Sequence, residues 1–378
     1  MDSLVIPTYF SLLISFFSHK GGVGKTTCIH NIASLLAQVF KLRVLLVDMD
    51  TQASLTGLVM HKKFVEKGKE VLPTLPPKEK KLYRKSKHLA KLGENAFLRA
   101  ERTSRKTSFE LFKGEVTEDC KYNLLWVNEH FDEVVDTVKP IKINKGTNQE
   151  FLFIAGDRRI SQIDTELSEA FAAVNSNANF ASFYHFMPGL VSSLLRSVAQ
   201  KNSVDLVLID FGPSPTPLNR SMLMGSDYFV VNSLADFLSR WSIESLSDYI
   251  IQWDKSSRVL RSERLGRFML PSCPKFLGTI ISRIKIHNTD LTSDKKTKVE
   301  LITEETERYL HQFNPNATYL KNPTLIREFT RLSDKIEETG KPISQTTPFD
   351  IPKSAKANID DEEIRKGAEL NLNSYFSA

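Results

Sequence analysis

The residues best suited to chemistry lie in the segment SHKGGVGKTTCIHN, residues 18–31. Its glycines let main-chain N–H groups approach phosphate oxygens, Lys25 supplies a positive charge for the β and γ phosphates, and Thr26 supplies a hydroxyl for Mg²⁺. An apolar run, residues 10–17, comes before the segment, and a helical pattern over residues 26–38 follows. This order of strand, glycine-rich loop and helix predicts a nucleotide site.

Carboxylates end two other apolar runs. Asp48 and Asp50 close the segment RVLLVDMD, and Asp210 closes VDLVLID. The carboxyl ends of parallel strands meet at one edge of a sheet, where ligands bind. A carboxylate beside a phosphate loop can act there on a metal ion or on an attacking water. We therefore expect these side chains to lie close to the glycine-rich loop.

The elements that position these residues follow from the hydrophobic pattern. Short apolar runs bounded by turn residues predict strands, and longer stretches with helical spacing lie between them. The predicted strands are residues 10–18, 43–47, 151–154, 205–209, 228–232 and 276–282, and the clearest helical stretches are residues 31–40, 190–199 and 243–253. This alternation predicts an α/β fold, a mostly parallel twisted sheet with helices on both faces.

Composition narrows the class of protein. Apolar residues make up 41% and charged residues 25% of the 378 positions, as in an ordinary globular protein. Three scattered cysteines do not form a disulfide framework, and the eight histidines lack metal-binding spacing. The apolar stretch at residues 5–17 is shorter than a membrane helix and follows Asp2 rather than a positive start. We expect a cytoplasmic protein, with Cys28 as a small buried apolar side chain.

The net charge of +6 is unevenly distributed. Residues 61–106 hold 15 Lys and Arg against 5 Asp and Glu. We interpret this segment as a basic insertion in one domain spanning residues 1–345, with residues 346–378 as a C-terminal tail. The insertion is open to three interpretations: a solvated loop, a contact with nucleic acid phosphates, or a contact with a protein partner.

A second basic cluster has a regular spacing. Its members recur every three residues, so that in a helix they would form one slanted stripe. They are Lys255, Arg258, Arg261, Arg264 and Arg267. We consider this stripe the first candidate for DNA binding, against the alternative of a merely solvated face.

The phosphate loop KGGVGKTT resembles that of the ParA/MinD class of deviant Walker ATPases, within the SIMIBI class of P-loop NTPases. The resemblance implies a P-loop NTPase fold and a nucleotide-binding set of Lys20, Gly21, Gly22, Val23, Gly24, Lys25, Thr26 and Thr27. It also implies that Lys20 is the signature lysine, which reaches the phosphates of the partner subunit in a nucleotide-sandwiched dimer. Such a cation would act as an arginine finger does, so catalysis would depend on dimerisation.

Two further motifs extend the resemblance. Asp48, Asp50 and Gln52 match the switch I pattern, with Thr51 in place of the usual proline. By resemblance, Asp50 positions the attacking water as a catalytic residue with Lys20 and Lys25, and Asp48 lies near the Mg²⁺ shell with Thr26.

The strand ending in Asp210 resembles the Walker B element, which accepts hydrogen bonds from Mg²⁺-bound water. Gly212 and Pro213 match switch II, although Gly212 stands where the family more often has proline. The segment LIREFTRLSDKIEETGKPI, starting at Leu325, resembles a late helix of the family, so the resemblance covers roughly residues 9–345.

The resemblance is greatest to the ParA partition ATPases. It implies an ATPase that requires ATP and Mg²⁺, a homodimer with ATP, binding of nonspecific DNA, a ParB-like or other stimulating partner, and association with the nucleoid. The alternatives are a MinD-like membrane-cycling ATPase, which needs a basic amphipathic C-terminal helix, and an ATP-dependent ligase or synthetase of the same superfamily. A relative of the nitrogenase iron protein is disfavoured because the cysteines are isolated.

Overall fold

We describe the fold from a computed structural model of the chain. It describes residues 11–75, 124–143, 151–175, 185–284, 293–317 and 322–327, with short pieces at 77, 80, 91–92, 94–95, 286–287 and 290–291. The predicted tail at residues 346–378 and most of the predicted basic insertion lie outside these residues.

The described part of the chain alternates strands with helices. The strands are β1 Leu12–Phe17, β2 Val44–Asp48, β3 Ile141–Ile143, β4 Phe151–Ile154, β5 Leu206–Asp210, β6 Tyr228–Leu234, β7 Lys275–Ile284, β8 Ile286–His287, β9 Asp290–Leu291 and β10 Thr324–Arg327. The helices are α1 Lys25–Gln38, α2 Ser54–Val71, α3 Leu124–Thr137, α4 Ser161–Asn175, α5 Met187–Lys201, α6 Pro217–Met224, α7 Phe237–Ser256 and α8 Ser293–Glu305.

Eight of these strands form one sheet, in the order β10-β7-β6-β1-β5-β2-β4-β3. All neighbours in it are parallel except β3 and β4, which pair antiparallel. The pairing of β2 with β5 places Asp48 opposite Asp210. The predicted α/β class is thus confirmed, and the central strands bring their carboxyl ends to one edge.

Apart from Ser15 and the aspartates that end β2 and β5, the strands β1, β2 and β5 are apolar, because helices cover both faces of the sheet. In β2, Leu45 and Val47 join the core cluster that contains α4, α5 and α6, whereas Val44 and Leu46 join the one that contains α1 and α2. Alternate residues of one strand therefore enter two different cores, as the twofold period of a strand requires. This double burial holds the ends of β1, β2 and β5, and with them the site residues, in fixed positions.

All six strands that the sequence predicted are present, and the short strands β3, β8 and β9 and the edge strand β10 were missed. The prediction of a late helix from Leu325 onward was wrong at its start, because Thr324–Arg327 forms a strand that pairs in parallel with β7. The open edge of β7 offers main-chain hydrogen bonds that a helix there could not use. The remainder of that predicted helix lies outside the described residues.

The start of the predicted basic insertion is helical. Residues 61–71 continue α2, and Phe64 in this part is buried in the core beside α1. These residues thus pack as part of the α/β fold, because their apolar side chains follow the helical period of the residues before them. Among the helices that the structure describes, none combines the length and the apolar character needed to cross a membrane.

Candidate nucleotide-binding site

The glycine-rich loop joins the end of β1 to the start of α1 at the edge of the sheet. Gly22 and Gly24 have positive φ angles, +75° and +81°, which L-residues with side chains rarely adopt. Gly24 is the N-cap of α1, and the first turn of this helix holds no acidic residue. The free N–H groups of the helix start and its dipole therefore favour an anion such as phosphate.

Lys25 and Thr26, the first two residues of α1, both contact Asp210. The Lys25 ammonium donates to Asp210 Oδ1 and to the main-chain carbonyl of Phe211. The Thr26 hydroxyl donates to Asp210 Oδ2 over 2.8 Å. Lys25 and Asp210 are both buried, so the structure brings together the predicted lysine, hydroxyl and strand-end carboxylate.

Asp48 is fully buried beside Asp210 on the neighbouring strand. The pKa of Asp48 is raised to about 7, mainly by burial and secondly by the charge of Asp210. Hydrogen bonds from Thr56 and from the Asp50 N–H act in the opposite direction and lower it. The Thr56 N–H and hydroxyl both donate to Asp48 Oδ2, over 2.7 and 2.6 Å. Asp48 therefore keeps its proton to a higher pH than an ordinary aspartate when no cation is bound beside it.

Two residues that fix Asp48 were missed in the sequence. Thr56, in the first turn of α2, also accepts a hydrogen bond from Gly156 N–H over 2.7 Å. A Cβ at position 156 would lie 2.7 Å from Asp48 Cγ, so only glycine fits there. A glycine two residues after the end of β4 was the signal that could have found this contact.

The switch residues lie next to one another. Asp50 is buried, and its Oδ1 accepts a hydrogen bond from Gln52 N–H over 3.1 Å. A Cβ at Gly212 would lie 3.4 Å from this same oxygen. Gly212 and Pro213 form the turn after β5, where Asn219 Nδ2 donates to the Gly212 carbonyl over 2.7 Å. The structure thus places switch I and switch II in direct proximity.

Lys20 lies apart from these carboxylates. Its ammonium is 3.0 Å from Asp236 Oδ2, and the lysine side chain is exposed. Asp236 follows β6, which neighbours β1 on the side opposite β5 and β2. The cation is therefore drawn away from the flank that carries Asp48 and Asp210.

Asp236 was missed in the sequence, although an Asp before a helical run is an N-cap signal. Its Oδ1 accepts from Ser239 N–H over 2.9 Å and caps α7. Partial burial acts to raise its pKa, yet hydrogen bonds from Lys20 and Ser239 outweigh this and hold the pKa of Asp236 below its usual value. Asp236 is thus the anionic partner of Lys20 at the edge of the site.

The donor set fits Mg²⁺ and a nucleotide phosphate. Asp48 and Asp210 give carboxylate oxygens and Thr26 a hydroxyl, all hard ligands of the kind Mg²⁺ prefers. Among the described residues, no group of three His, Cys, Asp or Glu side chains could hold a metal ion on its own. Mg²⁺ is commonly held by one or two carboxylates together with substrate phosphates, so this set suits a metal that arrives with the nucleotide.

The other residues of the predicted nucleotide-binding set, residues 20–27, also lie in the loop or at the start of α1. Gly21 is exposed, Val23 is buried, and Thr27 is half-buried within α1. His19, where the strict phosphate-loop pattern has glycine, stacks on Tyr249 of α7 with ring centroids 6.3 Å apart. Cys28 is buried, as expected.

The predicted basic stripe does not form. Helix α7 ends at Ser256, and short 3₁₀ turns follow at Arg258–Arg261 and Glu263–Phe268, broken by Gly266 at φ +52°. The expectation of one helical face was wrong because α7 ends before Arg258, and an extended residue, Ser262, separates the two short turns that follow.

The five basic side chains divide into two groups. Arg261 donates to Asp254 over 2.6 Å and to the Pro271 carbonyl, and Arg267 contacts Asp132 while lying 4.8 Å from the Phe131 ring centroid. Lys255, Arg258 and Arg264 are exposed, as is Arg267. Fewer of these five side chains are therefore free of contacts within the subunit than the spacing suggested.

The fold is shared with solved structures of low identity. A pNOB8 ParA bound to nonspecific DNA is 16% identical with a TM-score of 0.52, and the match covers 97% of this chain and 99% of that one. A McdA–ATP complex from Cyanothece is also 16% identical with a TM-score of 0.52, over 96% and 97% of the two chains. Both similarities show that this chain has the same fold as these two structures.

Sequence comparison adds the family. A curated relative, the virulence plasmid ParA family protein pGP5-D of Chlamydia psittaci, is 60% identical over 43 residues, which span 11% of this chain and 17% of that protein. The model of the AAA domain family AAA_31 matches residues 11–261. The chain belongs to this AAA domain family, and its resemblance to the ParA-type deviant Walker ATPases is confirmed.

Proposed function

We propose that this chain is a ParA-like ATPase in which ATP and Mg²⁺ join two copies into a dimer that holds nonspecific DNA. Hydrolysis, stimulated by a ParB-like or other partner protein, releases the DNA, so that plasmid, chromosome or other cargo is partitioned or positioned. One observation carries the proposal: Lys25 and Thr26 converge on Asp210 beside Asp48, while Lys20 lies on the opposite flank.

The site residues have distinct parts in this proposal. The loop N–H groups and Lys25 bind the phosphates, and Thr26 with the carboxylates of Asp48 and Asp210 holds Mg²⁺, which neutralises phosphate charge. Asp50, buried beside switch II, orients the attacking water.

The position of Lys20 supports a role between subunits. Its exposed ammonium is paired with Asp236 on the β6 side of β1, away from its own carboxylates. A cation held there is poorly placed for the phosphate of its own subunit and accessible to a second subunit. Hydrolysis is then slow in the monomer, since the charge that stabilises the transferred phosphoryl group arrives only with the partner.

DNA binding is assigned to the exposed basic residues in the last turn of α7 and just after it, chiefly Lys255, Arg258 and Arg264. Such a contact would be made to phosphates and would not depend on base sequence. The likeness to a ParA bound to nonspecific DNA supports it. In a cell the ATP-bound dimer would lie on the nucleoid within the cytoplasm.

Two measurements on the purified chain test this function together. The first is ATPase activity with and without duplex DNA, and the second is particle mass with Mg²⁺ and ATP, with ADP, or without nucleotide. We expect a dimer with ATP only, and retention on DNA in the same state. A chain that stays monomeric and binds no adenine nucleotide would refute the proposal, and binding to anionic liposomes with none to DNA would favour membrane cycling instead.

The cross-subunit role of Lys20 has its own test. We expect Lys20→Ala to reduce both ATP-dependent dimerisation and stimulated hydrolysis, by tenfold or more. Lys69→Ala, which removes an exposed lysine from α2, serves as the matched control. Intact stimulated turnover in Lys20→Ala would exclude this role.

A further inference from the structure

His19 and Lys20 stand at the start of the phosphate loop, and both contact helix α7. The His19 ring stacks on Tyr249, with ring centroids 6.3 Å apart and ring planes inclined by 21°. The Lys20 ammonium lies 3.0 Å from Oδ2 of Asp236, the residue that caps the same helix. The main chain that carries Lys20 is therefore held against α7 at two separate points.

The stack continues from Tyr249 toward the core. Tyr249 and Trp253 share one side of α7, because they lie one helical turn apart, and their rings stack with centroids 5.6 Å apart. Trp253 is buried and Tyr249 packs against the core cluster, whereas His19 is exposed. Adjacent aromatic rings attract each other beyond the area that they bury. The surface ring of His19 is thus anchored to a closely packed part of the molecule.

Other packing around the start of the loop is sparse. A Cβ at Gly21 or Gly22 would meet no atom of the described residues within 4 Å. A cavity, lined by Lys20, Val23 and Leu246 among others, lies between the loop and α7. The position of the first loop residues therefore depends on the contacts that His19 and Lys20 make with this helix.

His19 occupies the position at which the strict phosphate-loop pattern has glycine. Glycine would supply no ring and would give the main chain more conformational freedom. We propose that His19 is a positioning residue for Lys20. Its stack on Tyr249 fixes the main chain from which the lysine extends, so that the ammonium, once released from Asp236, is aimed at the phosphates of a second subunit.

The inference rests on the proposed function and deepens it, because it names the residue that positions the cation shared between subunits. The stack depends on the flat ring of His19 and not on its charge. A phenyl ring at position 19 should therefore replace it, whereas glycine should not.

The test measures ATP turnover with Mg²⁺ and duplex DNA, at protein concentrations at which the wild type dimerises. The variants are His19→Gly, Tyr249→Leu and the two combined. His19→Phe and Tyr249→Phe are the matched controls, because they keep both rings. Binding of a fluorescent ATP analogue at nanomolar protein gives the nucleotide affinity of each monomer and verifies that it is folded.

We expect His19→Gly to lower kcat about three- to tenfold, the range that corresponds to one aromatic contact. The KM for ATP and the affinity of the monomer should stay within twofold of the wild type. This split separates positioning from a general loss of structure, which would weaken nucleotide binding as well. Tyr249→Leu should lower kcat to a similar extent, and the double variant no further, since both changes remove the same contact.

Both controls should keep kcat within twofold of the wild type. A His19→Gly variant that turns over ATP like the wild type overturns this inference alone, and so does a double variant whose loss is the product of the two single losses. A loss in His19→Phe as large as in His19→Gly also overturns it, because the ring would then have no part. A wild type that neither dimerises nor hydrolyses ATP refutes the proposed function together with this inference.

Discussion

At the scale of single residues, the site is organised around Asp210. This buried carboxylate accepts hydrogen bonds from both Lys25 and Thr26. The cation assigned to the phosphate and the hydroxyl assigned to the metal thus share one anion. Because a buried charge is costly once its partner is removed, the same contact links nucleotide chemistry to the stability of the fold.

Replacing Lys25 by methionine should reveal this link. Lys25→Met leaves Asp210 buried without its cation, so we expect the free energy of unfolding to fall by about 3–5 kcal/mol. Urea unfolding at pH 7 without nucleotide measures it. Lys25→Met/Asp210→Asn removes both charges and should recover a large part of the loss. A single variant as stable as the wild type would show that the ion pair has no such role.

The raised pKa of Asp48, about 7, predicts a dependence of stability on pH. Between about pH 4 and pH 7 the folded chain keeps a proton that the unfolded chain has released, so the free energy of unfolding falls as the pH rises through this interval. The loss is on the order of 2–4 kcal/mol. Below pH 4 the contribution is fully present, and above pH 7 it is lost.

Asp48→Asn isolates this contribution, because asparagine stays neutral over the whole interval. Urea unfolding at pH 5 and at pH 7.5, with chelator and without nucleotide, measures the change for each protein. We expect the decrease between the two pH values to be larger in the wild type than in the variant. Equal decreases would show that Asp48 titrates near its ordinary value.

At the scale of elements, the start of α7 combines several roles. Asp236 caps the helix through Ser239 N–H, pairs with Lys20, and precedes the exposed apolar side chains of Phe237 and Leu238. A capping side chain satisfies a main-chain donor that would otherwise have no partner in the helix. The position of this helix relative to β1 therefore also fixes where Lys20 is held.

The cap and the ion pair can be separated by two substitutions. Asp236→Ala loses both, and we expect a loss of about 1 kcal/mol in the free energy of unfolding. Asp236→Asn keeps a capping oxygen and loses only the exposed ion pair, which contributes little, so its effect should be a few tenths of a kcal/mol. Thermal or urea unfolding of the two variants checks this order. Equal losses would indicate that the charge, and not the cap, is what α7 requires.

At the scale of the whole molecule, the basic side chains at the end of α7 and after it differ in how they meet solvent. Lys255, Arg258 and Arg264 are exposed, whereas Arg261 is tied to Asp254 and to the Pro271 carbonyl. Binding to phosphates releases counterions, so each contact contributes to the salt dependence of affinity. Exposed and engaged arginines of one short segment should therefore behave differently.

We expect Arg258→Glu/Arg264→Glu to weaken DNA binding and to lower the slope of log affinity against log salt by about 2, since each lost phosphate contact removes about 1. Arg261→Ala is the contrasting variant. It should leave the slope unchanged but reduce stability by about 1 kcal/mol or more, because it breaks charge-assisted hydrogen bonds. Fluorescence anisotropy on one duplex across a salt series measures the slope. An unchanged slope in the double variant would exclude these arginines.

The sequence by itself determined the phosphate loop, the central strands and the carboxylates that end them. These features are local, because glycines with positive φ, a helix start and a twofold apolar period each depend on neighbouring residues. For this reason Gly24, Lys25 and Asp210 could be assigned to the nucleotide site from the sequence. Their proximity could also be predicted, because the carboxyl ends of parallel strands lie at one edge of the sheet.

The tertiary structure alone decided the contacts made across the chain. Asp236 meets Lys20 although 216 positions separate them, and Gly156 approaches Asp48 because β4 lies beside β2. The basic stripe failed because α7 ends at Ser256, and an every-third spacing does not reveal where a helix ends. Such pairings depend on which strands are neighbours and how closely elements pack, and neither is encoded in the local period of the sequence.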